Sequence, residues 1–498
     1  MNRSRLRLLL PAAGLLFAFL VAHATRVRAE DLPTGKIIEK VECRADSTLS
    51  YALYVPTNYD SKKKCPVLFA FDPIARGPVP VERFKDAAET YGYIVAGSNN
   101  SKNGPWAPSA KAIMAMFNDV LDRFAIDQQR VYATGFSGGA RVACRLGYGL
   151  KGQIAGVIAC GAGFPVETPP SAPVPFAFFG TAGIEDFNYV EMRQLDRTLD
   201  ALGAVHHVEI FEGGHAWAPA ELCRRAIEWM ELQAMKSALR MRSEPLIDAL
   251  LKKEVERVRA QEAAGSISLA YAGYVGIADE FKGLRDVAEF ARKAAVLKES
   301  REVRQALKVE KDQESEQRTR VRELYTLRAR LAGAALSAEN YTVETSAQND
   351  SSYTPLLTDE GNRTVRVAAL RGMLANLRKR ADATESTPDR ALARRVLNEF
   401  MVSSFETSTA LLDRKFYNRA TAVLALDAEL MPDNWRVLYN LACVYSLKGD
   451  KNKAIEVLKK SVQKGLSNAS ELEGDKSLDA IREEAGFKRI VEELKTKK

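Results

Sequence analysis

Short apolar runs alternate with helical segments in the first half of the chain. Runs such as VLFAF at 67–71 and GVIAC at 156–160 carry no polar residue on either face. This pattern is typical of strands in a parallel sheet that helices cover on both sides. Eight β-rich runs lie between about residues 35 and 235, with helical segments near 82–91, 109–125, 138–149, 188–202 and 219–235. The pattern predicts an α/β fold class, a doubly wound and mostly parallel sheet, for residues 30–238.

The β-rich runs end after about residue 238, and Leu, Ala, Glu, Lys and Arg dominate the rest of the chain. An all-α region is therefore predicted, with degenerate helical repeats over residues 239–395. The mixed-charge segment at 308–331 predicts a long solvated helix. A Ser/Thr/Asn-rich segment at 339–355 predicts a loop between helices.

A 34-residue period follows over residues 396–498. Three apolar positions repeat after 34 residues: Leu411, Ala420 and Leu424 correspond to Tyr445, Ala454 and Leu458. A small residue followed by an apolar one four positions later, at this period, resembles the tetratricopeptide signature. Such repeats imply binding of a protein partner; an unrelated pair of helical hairpins is the alternative.

The first 29 residues have the layout of a secretory signal. A start rich in arginine precedes the apolar run LLLPAAGLLFAFLVA, and small residues suit cleavage after Ala24 or Ala29. The run is shorter than the ~20 residues that a spanning helix prefers, although an uncleaved membrane anchor is the alternative. We expect an exported protein, periplasmic or secreted, with no transmembrane span after cleavage.

Charge and composition exclude several classes of protein. The net charge of +8 falls to +3 without the five arginines of residues 1–29, so a nucleic-acid partner is not expected. Four histidines and the absence of CxxC spacing predict neither a metal site nor a cofactor. Six cysteines in 498 residues do not make a disulfide scaffold; Cys43 and Cys65, which border the first strands, are the candidate pair.

The strand VYATGF runs into Gly135-Phe136-Ser137-Gly138-Gly139 and then into a helix. This is G-x-S-x-G at a strand-to-helix turn, which holds a serine oxygen out at the edge of a sheet. Ser137 is therefore the candidate nucleophile. The Gly138 N–H, at the positive end of the helix, is a candidate donor to a substrate carbonyl oxygen.

A nucleophilic serine needs a base and an orienting acid, which follow later strands in the order acid, then histidine. His215 comes directly after the strand HHVEIFEG and is the candidate base. The loop after PFAFFGT offers Asp186 as the acid, with Glu185 as the alternative. His206 and His207, at the start of a strand, are interpreted as a surface pair.

Five segments, FDPIARG, SNNSKNGPW, RVYATGFSGGARVA, GIEDFNY and FEGGHAW, together resemble the α/β-hydrolase superfamily. The branch that they resemble contains secreted polyhydroxybutyrate depolymerases, feruloyl esterases and dienelactone hydrolases. The resemblance covers about residues 35–235. It implies that Ser137, Asp186 and His215 are nucleophile, acid and base.

The sequence departs from that family at two points. Gly183 stands where many relatives carry the acid. FDP replaces the His-Gly of many relatives, and because Pro73 has no N–H, the resemblance implies that Asp72 or Ile74 supplies the second oxyanion donor.

The substrate is less well specified. The segment GFPVETPPSAPV between two strands is too short for a helical lid, so we expect an open site that suits a bulky or polymeric ester. Asn99, Asn103 and Trp106 follow the fourth strand and either hold substrate or form a structured turn. Trp217, two residues after the candidate base, is predicted to form a pocket wall.

The hypothesis that follows is an exported serine hydrolase, an esterase, with a helical module for protein interaction. A serine peptidase of prolyl-oligopeptidase type is one alternative, although the chain has no β-propeller. A catalytically inactive scaffold with a hydrolase fold is the other.

Overall fold

The computed structural model describes residues 32–332 and 360–496 of the 498. The signal predicted over residues 1–29 lies outside these residues, and so does the loop predicted at 339–355. Among the described helices, none combines the length and the apolar character needed to cross a membrane.

Eight strands form one sheet in the order β1-β2-β4-β3-β5-β6-β7-β8. β2 pairs antiparallel with β1 and β4, and all other pairs are parallel. The predicted fold class is confirmed, and the sheet has the topology of an α/β hydrolase. The strands are β1 (Ile37–Cys43), β2 (Asp46–Tyr54), β3 (Cys65–Phe71), β4 (Ile94–Ser98), β5 (Ile126–Phe136), β6 (Gly156–Cys160), β7 (Ala177–Gly183) and β8 (His206–Phe211).

Five helices cover the two faces of this sheet. They are α1 (Pro78–Tyr91), α2 (Trp106–Arg123), α3 (Gly138–Gly149), α4 (Tyr189–Ala201) and α5 (Ala220–Lys236). α2, α3 and α4 share one core with the sheet, and α1 and α5 share the other. The central strands are buried on both faces for this reason. No helix interrupts the stretch from β6 to β7, which agrees with the short segment in the sequence.

The second half of the chain is helical. Its elements are α6 (Glu244–Ala263), α7 (Ile267–Glu280), α8 (Ala288–Lys298), α9 (Arg301–Ala332), α10 (Glu360–Ala381), α11 (Pro388–Asp413), α12 (Tyr417–Leu430), α13 (Trp435–Leu447), α14 (Lys451–Gln463), α15 (Ala469–Gly474), a 3₁₀ helix (Lys476–Ile481) and α16 (Ala485–Thr496). α11 packs on α12, and α13 packs on α14. Ala420 and Ala454, 34 positions apart, are both fully buried. That these hairpins are tetratricopeptide repeats stays a prediction.

The prediction that residues 308–331 form a solvated helix is wrong for one face of α9. Glu314, Gln317 and Arg328 are buried there. They form hydrogen bonds with side chains of α4, α11 and α12, respectively. Their polar side chains led to the prediction of solvent exposure, because the partners that they bind lie far away in the sequence.

The candidate disulfide is not formed. All six cysteines are free, including Cys43 and Cys65. Five of the six side chains are buried, and Cys65 is partly buried. They behave as small apolar residues of the cores.

We predict that Arg328→Met lowers the free energy of unfolding by about 3–5 kcal/mol. Arg328 forms two hydrogen bonds with the buried Asp427 carboxylate, at 2.8 and 2.7 Å, and the change leaves that charge without its counterion. Arg363→Met is the matched control. It removes an arginine from Glu429, which is about one-third exposed, and it should cost less than about 1 kcal/mol. Equal losses in denaturant unfolding would contradict this assignment.

Candidate active site

Ser137 occupies a strained turn between β5 and α3. Its φ and ψ angles are 52° and −121°, a region that residues other than glycine rarely adopt. Its N–H donates to the Cys160 carbonyl oxygen at 2.8 Å, and its own carbonyl accepts from Ala140. These hydrogen bonds hold the strained backbone, as is typical of residues at functional sites.

The glycines on either side of Ser137 permit the close approach of α3 to the sheet. A Cβ on Gly135 would lie 2.1 Å from the Gly139 carbonyl group, and one on Gly139 would lie 2.0 Å from the Phe71 oxygen. No side chain fits at either position. α3 begins at Gly138, and the N–H groups of a helix's first turn have no acceptor within the helix. The N–H groups of Ala140 and Arg141 donate to the Ser137 carbonyl oxygen. Those of Gly138 and Gly139, at the start of the helix, are the ones that can bind a negatively charged oxygen.

Asp186 and His215 form a hydrogen bond. His215 Nδ1 lies 2.9 Å from Asp186 Oδ1, which also accepts from the Asn188 N–H at 2.8 Å. Asp186 is fully buried, and the His215 side chain is 20% exposed. The imidazole lies between the rings of Phe136 and Phe187, with centroids 4.6 and 4.2 Å away. Since Phe136 directly precedes Ser137, this ring contact places the imidazole next to the turn that carries the predicted nucleophile.

Glu185, the alternative acid, faces away from the imidazole toward the helical region. Its carboxylate pairs with Arg390 at 2.8 Å and with Arg394 at 2.7 Å, both on α11. Although burial alone raises the pKa of Glu185, hydrogen bonds from the two arginines hold it below its ordinary value. Asp186 is therefore the carboxylate that contacts His215.

The loop after β3 is organised by Asp72. Its Oδ1 accepts from the Ile74 N–H at 3.0 Å, and its Oδ2 accepts from Trp217 Nε1 at 2.9 Å. Arg76 donates to both oxygens. Although burial alone raises the pKa of Asp72, the hydrogen bonds from Arg76 and Trp217 hold it below its ordinary value. The Ile74 N–H, expected from the resemblance as an oxyanion donor, is thus already bound to Asp72.

The structure places Trp217 in the core rather than on a pocket wall. It is 5% exposed, and its ring packs 5.8 Å from that of Phe136. Its indole N–H needs a partner when buried, and Asp72 provides it. Trp217 therefore ties the His215 loop to the loop after β3.

Of the three candidates after β4, the structure places two beside the serine turn. Asn99 is not among them, because its Nδ2 donates to the Glu39 carbonyl oxygen in β1 at 3.0 Å. The Asn103 side chain lies against Gly138, since a Cβ on Gly138 would come within 1.8 Å of Asn103 Oδ1. Trp106 is 38% exposed, and the Arg145 guanidinium lies 4.7 Å from the centre of its ring.

Asn103, Trp106 and Gly138 line one cavity of about 210 Å³. Arg141 and Arg145 line it as well, although neither was a candidate in the sequence. Both lie on α3, four and eight residues after Ser137. Residues at this spacing share one face of a helix, so the spacing could have indicated that both arginines lie on the side of the serine. Four of these five residues carry side-chain donor groups, which suits a polar or aromatic substrate group beside the serine.

The other two histidines of residues 32–332 and 360–496, His206 and His207, have partners other than Asp186. His206 is largely buried, with Nε2 3.4 Å from an Asp196 oxygen, so it does not form part of a surface pair. Burial lowers the pKa of His206, but the hydrogen bond that its ring donates to the Asp196 carboxylate, together with the nearby negative charge, raises the pKa above its ordinary value. His207 stacks on Phe179 at 5.0 Å. Within residues 32–332 and 360–496, no cluster of three or more His, Cys, Asp or Glu side chains is arranged to hold a metal ion.

Known proteins resemble this chain only at low identity. No family model and no curated protein matches it. Among solved structures, S-formylglutathione hydrolase FrmB from Staphylococcus aureus is 15% identical with a TM-score of 0.32, and the match covers 36% of this chain and 90% of FrmB. FphF, a fluorophosphonate-binding serine hydrolase from the same organism, is 14% identical with a TM-score of 0.34, covering 40% and 99%. A ferulic acid esterase is 17% identical with a TM-score of 0.32, covering 39% and 95%. These structural neighbours are serine hydrolases and esterases.

Glu399 of α11 lies close to the Asp186 loop and generates a prediction about pH. Gln317 Nε2 donates both to the Phe187 carbonyl oxygen and to the Glu399 carboxylate, at 3.2 and 3.0 Å. Burial raises the pKa of Glu399 from 4.5 to about 7. The folded state therefore favours the neutral acid, and this contribution to stability is present below pH 4.5 and is lost as the pH rises to about 7.

We predict that Glu399→Gln stabilises the protein at pH 8 by on the order of 1–3 kcal/mol, because glutamine stays neutral and keeps an acceptor for Gln317. The gain should shrink toward zero below pH 4.5, where Glu399 is protonated in both states. Unfolding curves of the two proteins at pH 4, 6 and 8 measure this. A gain that does not change with pH would contradict the predicted titration.

Proposed function

We propose that this chain is an exported serine hydrolase that acts on carboxylic esters through Ser137, His215 and Asp186. The observation that carries the proposal is the strained Ser137 turn beside a hydrogen-bonded His215–Asp186 pair. A buried carboxylate that orients a partly exposed imidazole beside such a serine is the arrangement that serine hydrolases use. Export is proposed from residues 1–29, which leaves a periplasmic or secreted protein.

The reaction follows from the orientation of the imidazole. With Nδ1–H bound to Asp186, His215 Nε2 is free to take the proton from Ser137 Oγ as this oxygen attacks the ester carbonyl. The tetrahedral intermediate collapses, and the alcohol leaves with the proton from His215. The acyl group stays on Ser137 until a water, deprotonated by His215, attacks it and releases the acid.

The negative charge on the intermediate requires two donors. We propose the Gly138 N–H as the first. Pro73 has no N–H and the Ile74 N–H is bound to Asp72, so the loop after β3 is left with the backbone N–H of Asp72. The side-chain amide of Asn103, in contact with Gly138, is the second donor that we propose.

The cavity beside Gly138 supports a substrate with a polar or aromatic group. Trp106 offers an exposed ring, and Arg145 lies over it. The lack of a helix between β6 and β7 leaves this side of the site without a lid of its own. The helical hairpins of residues 396–496 are proposed to bind a protein partner, as concave helical repeats do.

We predict that Ser137→Ala lowers the turnover of short acyl and feruloyl esters by on the order of 10³-fold or more, without changing the unfolding midpoint. The wild-type protein should react with a fluorophosphonate at Ser137, and the variant should not. His207→Gln, a histidine change outside the site, is the matched control and should keep both activities. Faster cleavage of a proline peptide than of any ester would favour a peptidase, and the absence of both labelling and hydrolysis would favour an inactive scaffold.

We predict that Asn103→Ala lowers kcat by about 10²–10³-fold, the usual cost of one oxyanion donor, with little change in KM. Asn99→Ala is the matched control from the same loop. Its amide binds the Glu39 carbonyl, so it should cost stability but not kcat. Equal kcat values for the two variants would assign the second donor to the Asp72 N–H instead.

A further inference from the structure

The loop that carries Asp186, residues 184–187, is held on one side by the chain that leads to His215. The N–H groups of Ile184 and Glu185 donate to the carbonyl oxygens of Phe211 and Gly213, at 2.8 and 2.9 Å. These hydrogen bonds extend the β7–β8 pairing beyond the strands. They set the distance between the acid loop and the base loop on that side.

The opposite side of the same loop is held by the helical region. Arg395 donates to the Ile184 carbonyl oxygen at 2.7 Å, and Gln317 donates to that of Phe187 at 3.2 Å. The Glu185 carboxylate is bound by two further arginines of α11, Arg390 and Arg394. The residues before and after Asp186 are therefore each fixed by α9 or α11.

The start of α11 explains why three arginines meet the loop. Thr387 caps the helix by accepting the Arg390 N–H at 3.1 Å, and Pro388 follows in the first turn. Arg390 and Arg394 are four positions apart and lie on one face of the helix. Arg395 is the next residue, and it enters the space between α9, Ile184 and the Tyr189 ring, whose centre lies 4.4 Å from the guanidinium.

Burying the Arg395 side chain is energetically unfavourable. It is 0% exposed, and its hydrogen bonds go to the neutral oxygens of Gln317, Gln313 and Ile184. Burial lowers the pKa of Arg395. Removing a guanidinium from water is costly unless its partners compensate, and apolar side chains fill such a space at least as well. Packing of the helical region on the hydrolase domain alone does not require this charge.

We propose that Arg395, assisted by Arg390 and Arg394, is a positioning residue of the hydrolase site. It holds residues 184–187 so that Asp186 stays in hydrogen-bond contact with His215, which makes the helical region part of the catalytic machinery. This inference rests on the proposed function. If Arg395 has this positioning role, the hydrolase domain needs α11 for full activity. If the helical region serves only to bind a partner, it does not.

Arg395→Met in the full-length chain tests the proposal. We expect kcat to fall by about 10²-fold with KM nearly unchanged, the scale of an ~1 Å misplacement in an active site. Arg395→Lys, which keeps a charge and one donor, should recover part of the lost kcat.

Arg197→Gln is the matched control. Arg197 bridges the same two regions through Glu314 of α9, at 2.7 Å, but contacts no residue of the 184–187 loop. It should lower the unfolding midpoint and leave kcat within about twofold. If Arg395→Met does not fold, the double variant Arg390→Gln/Arg394→Gln, at less buried positions, should lower kcat by about tenfold.

Hydrogen exchange of a peptide spanning residues 184–189 separates the two proposals. Faster exchange in Arg395→Met, but not in Arg197→Gln, supports the role of Arg395 in holding the loop. That result stands even if the wild-type protein hydrolyses no ester, and in that case only the proposed function fails. The positioning role would be overturned if exchange in Arg395→Met is unchanged. It would also be overturned if exchange is faster but kcat, divided by the fraction of protein whose serine reacts with fluorophosphonate, equals that of the wild type.

Discussion

The hydrogen bond between His215 and Asp186 is the interaction on which the rest of the site depends. A fully buried carboxylate is costly unless donors surround it, and the His215 ring and the Asn188 N–H are the donors to its Oδ1. The imidazole in turn is fixed between two phenylalanine rings, one of which adjoins Ser137. The position of His215 relative to Ser137 is thus set by ring packing as well as by the hydrogen bond to Asp186.

Two networks around this hydrogen bond link loops that follow different strands. Asp72 joins the loop after β3 to the His215 loop through Trp217. The acid loop is joined to the base loop by backbone hydrogen bonds and to α9 and α11 by side chains. A parallel sheet presents the ends of its strands at one edge, and here the loops at that edge are cross-linked rather than independent.

The parts of this structure that sequence predicts are those with a local signal. VLFAF and GVIAC are apolar on both faces and became buried central strands. The glycines around Ser137 indicated the turn because no side chain fits there. The contact between His215 and Asp186 was expected from the order of the loops along the chain.

The features that the sequence did not predict depend on the direction in which a side chain points, or on contacts with residues far away in the sequence. Glu185 and Asp186 are neighbours of similar chemistry, and only the backbone decides which of them points at His215. Trp217 looked like a pocket wall because a large aromatic residue beside a base suits either place, and its burial depends on Asp72, 145 positions earlier. The buried face of α9 carries polar side chains whose partners no local pattern reveals.

The contact between Arg395 and Ile184 joins residues 211 positions apart. During synthesis, the chain up to α5 contains every strand of the sheet and all of residues 137, 186 and 215 before any of α11 exists. Domains generally fold in the order in which they emerge, so the α/β domain forms first with one side of its Asp186 loop uncovered. The last contacts of that loop close only after α11, near the start of the final quarter of the chain, has been made, which gives this protein an order of assembly as well as a structure.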